Sequence, residues 1–122
     1  MSTFYARLEV APLATDLWSS VEALVDTGST LSKAPRDVLE AIGVRPSGTR
    51  QFTIANNQVI DREVGRVLVR IDGREAPDLV MFGEPDEQSI IGARTLEGLF
   101  LAVDPVNKRL VSVAGIELSS RP

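Results

Sequence analysis

Phe4, Ala6, Leu8 and Val10 alternate with Tyr5, Arg7 and Glu9, the two-residue period of a strand with one buried face, and Pro12 ends it. Val21–Asp26 is apolar on both faces, which predicts a central strand. Pro35 suits the first position of a short helix carrying Val38, Leu39 and Ile42 on one side, with Gly43 as its C-terminal cap. Arg50–Ala55 and Gln58–Val64 read as two strands joined at Asn56-Asn57, a pair that tolerates the positive φ of a tight hairpin. A second hairpin follows: Val67, Val69 and Ile71, then Asp72-Gly73, then Ala76–Phe82. Gly83–Ser89 is a polar loop, Ile90-Ile91-Gly92 a short apolar strand, and Ala93–Leu99 a helix with Leu96 and Leu99 inward. Phe100–Asp104 and Leu110–Ala114 flank the turn Pro105–Lys108 as a third hairpin. Many short strands, two short helices and frequent turns predict a mostly β, closed, barrel-like fold. With no linker, low-complexity segment or strong repeat, residues 1–122 are expected to form one domain.

Composition narrows the chemistry more than the fold. With no histidine and no cysteine, Ser-His-Asp and Cys-His triads, disulfides and histidine-based zinc sites are all excluded. Hydrolysis by such a chain has to rest on carboxylates, lysine, tyrosine or a hydroxyl. The net charge of −4 provides no basic surplus to displace phosphate counterions, so neither nucleic acid nor an anionic membrane is expected as a partner. The first residues lack the basic and apolar segments of a signal peptide, and no apolar run approaches the ~20 residues that span a bilayer. A soluble, cytoplasmic protein is the expectation.

Against that background one motif stands out. The apolar run Ala23-Leu24-Val25 delivers a carboxylate into the turn Asp26-Thr27-Gly28-Ser29, and this motif occurs once. By itself Asp-Thr-Gly also makes a sound structural turn, in which the aspartate caps the backbone two residues on. Further along, Ile90-Ile91-Gly92 supplies a second apolar element ending in glycine.

Three segments together resemble the retropepsins, the single-domain aspartic proteases of retroviruses, and their bacterial relatives. They are Leu24–Ser29, the strand pair Val67–Ile71 and Leu79–Gly83 about Asp72-Gly73, and Ile90-Ile91-Gly92 with the helix and closing strands after it. The order and separations fit from Val21 to Val113. The resemblance implies a closed acid-protease-like barrel that works as a homodimer, each chain giving one catalytic loop at a two-fold axis. It implies that Asp26 is the catalytic carboxylate, that Thr27 hydrogen-bonds to the partner loop, and that Gly28 lets backbone approach a peptide or protein substrate. Gly92 would let the Ile90-Ile91 strand pass close behind the loop, and Ala55-Asn56-Asn57-Gln58 would be the tip of the flap. No metal and no cofactor are implied.

Three departures qualify the resemblance. The flap tip carries two asparagines where viral members are glycine-rich. Thr30 stands where those members place an aspartate, and Arg94 is shifted by one from the arginine that pairs with it, so that ion pair is expected to be missing. Ser29 replaces the usual alanine; a hydroxyl donating to a carboxylate favours the charged form, which predicts an acidic optimum.

The remaining candidates have plain readings. Glu84, Asp86 and Glu87 match no calcium-loop spacing and read as a solvated acidic loop. Arg62, Arg66 and Arg70 share one strand face and read as a wet outer surface, and Trp18 and Tyr5 as packing residues. An aspartic endopeptidase is the leading function. Its alternatives are a catalytically weak or inactive binding and dimerisation module of the same fold, and a plain β scaffold in which Asp26 is structural.

Overall fold

A computed structural model describes residues 3–114. Nine strands and two short helices follow one another as β1 (Tyr5–Ala11), β2 (Ser19–Val25), β3 (Ser32–Pro35), α1 (Arg36–Ala41), β4 (Gly48–Thr53), β5 (Val59–Ile71), β6 (Arg74–Gly83), β7 (Ile90–Ile91), α2 (Ala93–Gly98), β8 (Leu101–Asp104) and β9 (Arg109–Ser112). Seven strands form one sheet in the order β1-β2-β7-β3-β6-β5-β4, and β8 with β9 forms a separate pair. A further antiparallel pairing, Glu9–Ala11 with Leu68–Arg70, joins β1 to β5 and returns the sheet on itself, leaving β4 outside the ring. The expected mostly β character with two short helices is what forms.

The core follows the alternation in the sequence. Leu8 and Val10 of β1, Ala23 and Val25 of β2, Val67, Val69 and Ile71 of β5, and Val80 and Phe82 of β6 are buried together with Leu39, Leu96 and Leu99 from the helical segments. Burying such side chains stabilises by about 1.5–3 kcal/mol each, the drive that closes the ring. Asn56 and Asn57 adopt φ of 72° and 59°, and Asp72 and Gly73 φ of 51° and 81°, so both hairpin turns use the left-handed region that their residue types tolerate. Gly43, at φ 88°, ends α1 as expected.

The elements differ from the sequence reading in places; Pro35, for one, ends β3 and stands at the N-cap of α1 in extended backbone, not at the first helical position. β5 runs unbroken for 13 residues, where the pattern suggested two strands either side of Gly65. That glycine is a packing site: a Cβ there would lie 2.8 Å from the Phe82 ring. β3 had no hydrophobic signature, because its two fully buried residues are the small Ser32 and Ala34. It nevertheless sits in the middle of the sheet, parallel to β6 and antiparallel to β7.

The supposed wet faces are largely paired. Arg62 bonds the Glu87 carboxylate and the Phe82 carbonyl (3.0 Å), while Lys33 adds a second cation to Glu87. Arg70 grips both oxygens of Glu9 at 3.0 Å and stacks 3.9 Å over Trp18, so the tryptophan covers an ion pair as well as packing. Glu84 pairs with Arg36 at 2.9 Å.

These contacts give acid stability a definite sign. The Arg62 guanidinium holds the Glu87 carboxyl below its ordinary value, and Arg70 does the same to Glu9. A carboxyl lowered on folding contributes stability above its unfolded value and loses it as pH falls through the folded one. Stability to urea should therefore fall away below the ordinary glutamate value of 4.5. Glu87→Gln should flatten that acid limb; an unchanged limb in the variant would mean that the Arg62 contact contributes nothing.

Candidate active site

Asp26 is placed by four backbone contacts on β2 and the turn after it. Val25 donates its N–H to the Phe4 carbonyl at 3.0 Å, and the Asp26 N–H reaches the Ile91 carbonyl at 2.9 Å as β2 runs parallel to β7. Beyond the strand, the Asp26 carboxylate accepts the Gly28 N–H at 3.0 Å, and its carbonyl accepts the Ser29 N–H at 3.1 Å. The motif is thus an Asx-type turn that anchors its own acid. Asp26 is half-buried, and Thr27 and Gly28 are exposed. The Thr27 hydroxyl has no hydrogen bond among the described residues.

The turn is locked from behind. The first N–H groups of α2 have no partners within the helix, and the loop supplies them: Ala93 donates to the Ser29 carbonyl at 2.8 Å and Arg94 to the Thr30 carbonyl at 3.0 Å. Gly92 stands so close that a Cβ on it would lie 2.5 Å from the Leu31 oxygen and 2.8 Å from the Ser29 oxygen. No side chain fits between β7 and the loop.

A chain of buried hydroxyls supports this contact. The Gly92 N–H donates to Ser32 Oγ at 2.9 Å, Ser32 Oγ lies 2.5 Å from Thr95 Oγ1, and Thr95 Oγ1 donates to Asp78 Oδ2 at 2.6 Å. Because the carboxylate only accepts, Thr95 must receive its bond from Ser32, and every proton in the chain has one direction. Asp78 is completed by the Leu79 N–H at 2.8 Å and Arg94 Nε at 3.3 Å. Thr95→Val should cost about 1–3 kcal/mol by orphaning buried Ser32 and Asp78 groups, read as a lower urea midpoint. A variant as stable as the parent would mean that the network contributes nothing to stability.

One expectation about this site changes. The Ser29 hydroxyl donates to the Leu31 carbonyl at 2.8 Å, and its single proton is spent there, not on the Asp26 carboxylate. The reason for expecting an acidic optimum therefore falls away. Arg94, as expected, has no aspartate at position 30; its guanidinium finds Asp78 on β6 instead.

Asp26 opens on a cleft of about 670 Å³. Gly28, Ser29, Thr30 and Leu31 form one wall, Arg50–Ile54 of the β4 arm another, and Leu79, Met81, Ile90 and Arg94 complete it. The structure thus brings together the acid loop, Ile90 and the strand leading to the hairpin tip. It does not bring in Ala55, Asn56, Asn57 or Gln58; the hairpin connection there is longer than the expected two-residue turn, with Asn56 and Asn57 in left-handed backbone and the Ile54 N–H closing on the Gln58 carbonyl at 2.8 Å. Ile91 and Gly92 lie behind the loop. Ser32, Arg50, Asp78 and Thr95 were missed in the sequence; the one signal available was a carboxylate, Asp78, set in the strand between Pro77 and Leu79.

The fold is that of retropepsin-like proteins. The solution structure of the simian foamy virus (mac) protease superposes with a TM-score of 0.54 at 18% identity, covering 77% of this chain and 92% of that one. The foamy viral protease-reverse transcriptase, solved in complex with an RNA/DNA hybrid, gives a TM-score of 0.52 at 19% identity. There the match covers 76% of this chain and only 12% of that much longer one. No curated protein matches the sequence. A family model described as aspartyl protease matches residues 19–95, and the chain belongs to that retropepsin-like aspartic protease family.

Proposed function

We propose that this protein is an aspartic endopeptidase that works as a homodimer, with Asp26 from each chain forming the catalytic pair. The observation that carries the proposal is the position of Asp26, fixed by Ile91 and Gly28 at the base of a cleft walled by β4, in a chain of the aspartyl protease family. Two carboxylates sharing a site cannot both ionise easily, and the aspartic-protease dyad is itself the standard illustration of this effect. The ionised member removes a proton from a water, whose oxygen adds to the scissile carbonyl carbon. The protonated member gives its proton to the carbonyl oxygen. Collapse of the tetrahedral intermediate then breaks the C–N bond: the carboxyl that took the water proton gives it to the departing nitrogen, and the other carboxylate takes a proton from a diol hydroxyl, restoring a carbonyl and the pair's single proton.

Support for a dimer comes from the other side of the loop. A cavity of about 620 Å³ lies beside Asp26, Thr27 and Gly28, walled by Phe4, Leu24, Val25, Val103 and Pro105. An apolar surface next to an exposed Thr27 is what a second copy would cover. In the proposed dimer the β4–β5 hairpin acts as the flap, and Asn56 and Asn57, already at positive φ, take the place of glycines at its tip. Residues 1–122 act as one domain in this reading, with a peptide or protein as substrate.

The hydroxyl of Thr27, bonded across the axis, should matter to assembly. Thr27→Ala is expected to weaken the dimer by about 1–3 kcal/mol while leaving monomer stability nearly unchanged. Sedimentation velocity over a dilution series measures it. Identical profiles for parent and variant would place Thr27 away from the interface. The proposal as a whole is tested by the Asp26→Asn variant described in the Discussion.

A further inference from the structure

Arg50, Leu79 and Arg94 line two cavities at once, the Asp26 cleft and an adjoining one of about 480 Å³. The second cavity adds Arg66 and Asp78 to its walls, with Leu13 as an apolar flank. Three arginines therefore line a hollow that shares part of its wall with the cleft, in a chain whose net charge is −4.

The single carboxylate does not neutralise them. The Asp78 side chain is only 5% exposed and is turned inward to Thr95 and the Leu79 N–H. Its contact with Arg94 uses Nε alone, at 3.3 Å, and that side chain is 61% exposed. Asp78 thus orients the Arg94 guanidinium while leaving its two terminal nitrogens without partners among the described residues. Arg50 makes only a 3.3 Å bond to the neighbouring Thr49 carbonyl, and Arg66 makes no hydrogen bond or ion pair among the described residues. By contrast Arg36, Arg62 and Arg70 are all engaged by carboxylates. Free guanidinium forks match a carboxylate in two-point geometry, and a partner bound there gains both charge and direction.

We propose that this arginine-lined pocket is a substrate subsite for an acidic side chain, so that the protease prefers peptides carrying glutamate or aspartate at one fixed distance from the cut. The inference rests on the peptidase reading and adds the substrate class. Asp26 is not part of the lining of this second hollow, so a carboxylate seated there meets the arginines and not the catalytic acid. Leu79 and Leu13 pack along its methylene stem.

Two measurements test it with the full chain. In the first, a random peptide library is cleaved and the products are sequenced by mass spectrometry. Acidic residues should be enriched about tenfold at one position relative to the cut, and the enrichment should fall to near parity in Arg50→Gln and in Arg94→Gln. Arg50→Gln does not touch Asp78, so it keeps the test valid if Arg94→Gln folds poorly. In the second, an octapeptide with a central glutamate and its glutamine twin are titrated into the ¹⁵N-labelled Asp26→Asn variant. The glutamate peptide should bind about tenfold more tightly, shift the Arg50 and Arg94 signals, and lose its advantage at high salt. Equal behaviour of the two peptides, or a preference that survives both arginine substitutions, overturns the subsite. A glutamate preference in binding with no cleavage by the parent would instead sustain the subsite and overturn the peptidase.

Discussion

Asp26→Asn is expected to abolish peptide cleavage, a loss of about 10³-fold or more, without disturbing the fold. The structural role of Asp26 is modest and an amide can fill it, since Asn Oδ1 accepts the Gly28 N–H as the carboxylate does at 3.0 Å. Urea midpoints of parent and variant should then agree within about 1 kcal/mol, because a hydrogen bond is exchanged for its equivalent. The pair mechanism adds a sharper expectation. In mixtures of parent and variant allowed to exchange subunits, activity should follow the square of the parent fraction, because only the dimer with two carboxylates turns over. A linear dependence would mean that one Asp26 suffices and would exclude a shared proton. Full activity in Asp26→Asn would return the motif to its role as a structural turn.

Gly92→Ala should have the opposite profile, costing stability and activity together. The new methyl would meet the Leu31 oxygen at 2.5 Å, the Leu31 carbon at 2.6 Å and the Ser29 oxygen at 2.8 Å. All three are backbone atoms, and they belong to the loop that carries Asp26. Relief requires moving β7 or the loop, and both are tied by the Asp26–Ile91, Ser29–Ala93 and Thr30–Arg94 bonds. Overpacking of this kind costs about 3 kcal/mol, lowering the melting midpoint by roughly 10 °C for a chain of this size. Cleavage at a temperature where the variant remains folded should also fall, since the displaced atoms flank the acid. A variant of parental stability and activity would show that the close approach of β7 does not constrain the loop.

These two residues were legible because each belongs to a local pattern: an acid after an apolar strand, and a glycine after two isoleucines. The strands of the core were legible for the same reason, since alternation along Phe4–Val10 and Val67–Ile71 states which side is buried. β3 was not, because Ser32 and Ala34 are too small to mark a period, and its place is set by β6 and β7, which come 40 or more residues later. The hydroxyl chain from Gly92 to Asp78 was hidden for a related reason. Ser32, Asp78 and Thr95 are ordinary surface residue types, and only the ring of strands brings them together and excludes water. Ser29 shows the limit from the other side. Its neighbour in sequence is the acid loop, yet its proton goes to Leu31, because the turn at Gly28 already supplies the carboxylate with a backbone donor. Residue identity located the chemistry; the direction of each hydrogen bond came from the fold.

The arginines illustrate the same division. Arg62, Arg66 and Arg70 look equivalent along β5, but Arg62 and Arg70 end in ion pairs while Arg66 faces the pocket beside the cleft. Spacing alone could not separate the two that brace the sheet from the one left free.

In the proposed dimer two copies meet with their Asp26 side chains sharing one water. A crystal structure of the assembled protein tests it directly, through the separation of the two carboxylates across the molecular two-fold axis. Oxygens of the two chains should lie about 3 Å apart, at hydrogen-bonding distance of each other and of a common water. A monomer at high concentration, or a dimer whose Asp26 side chains face away from one another, would contradict it.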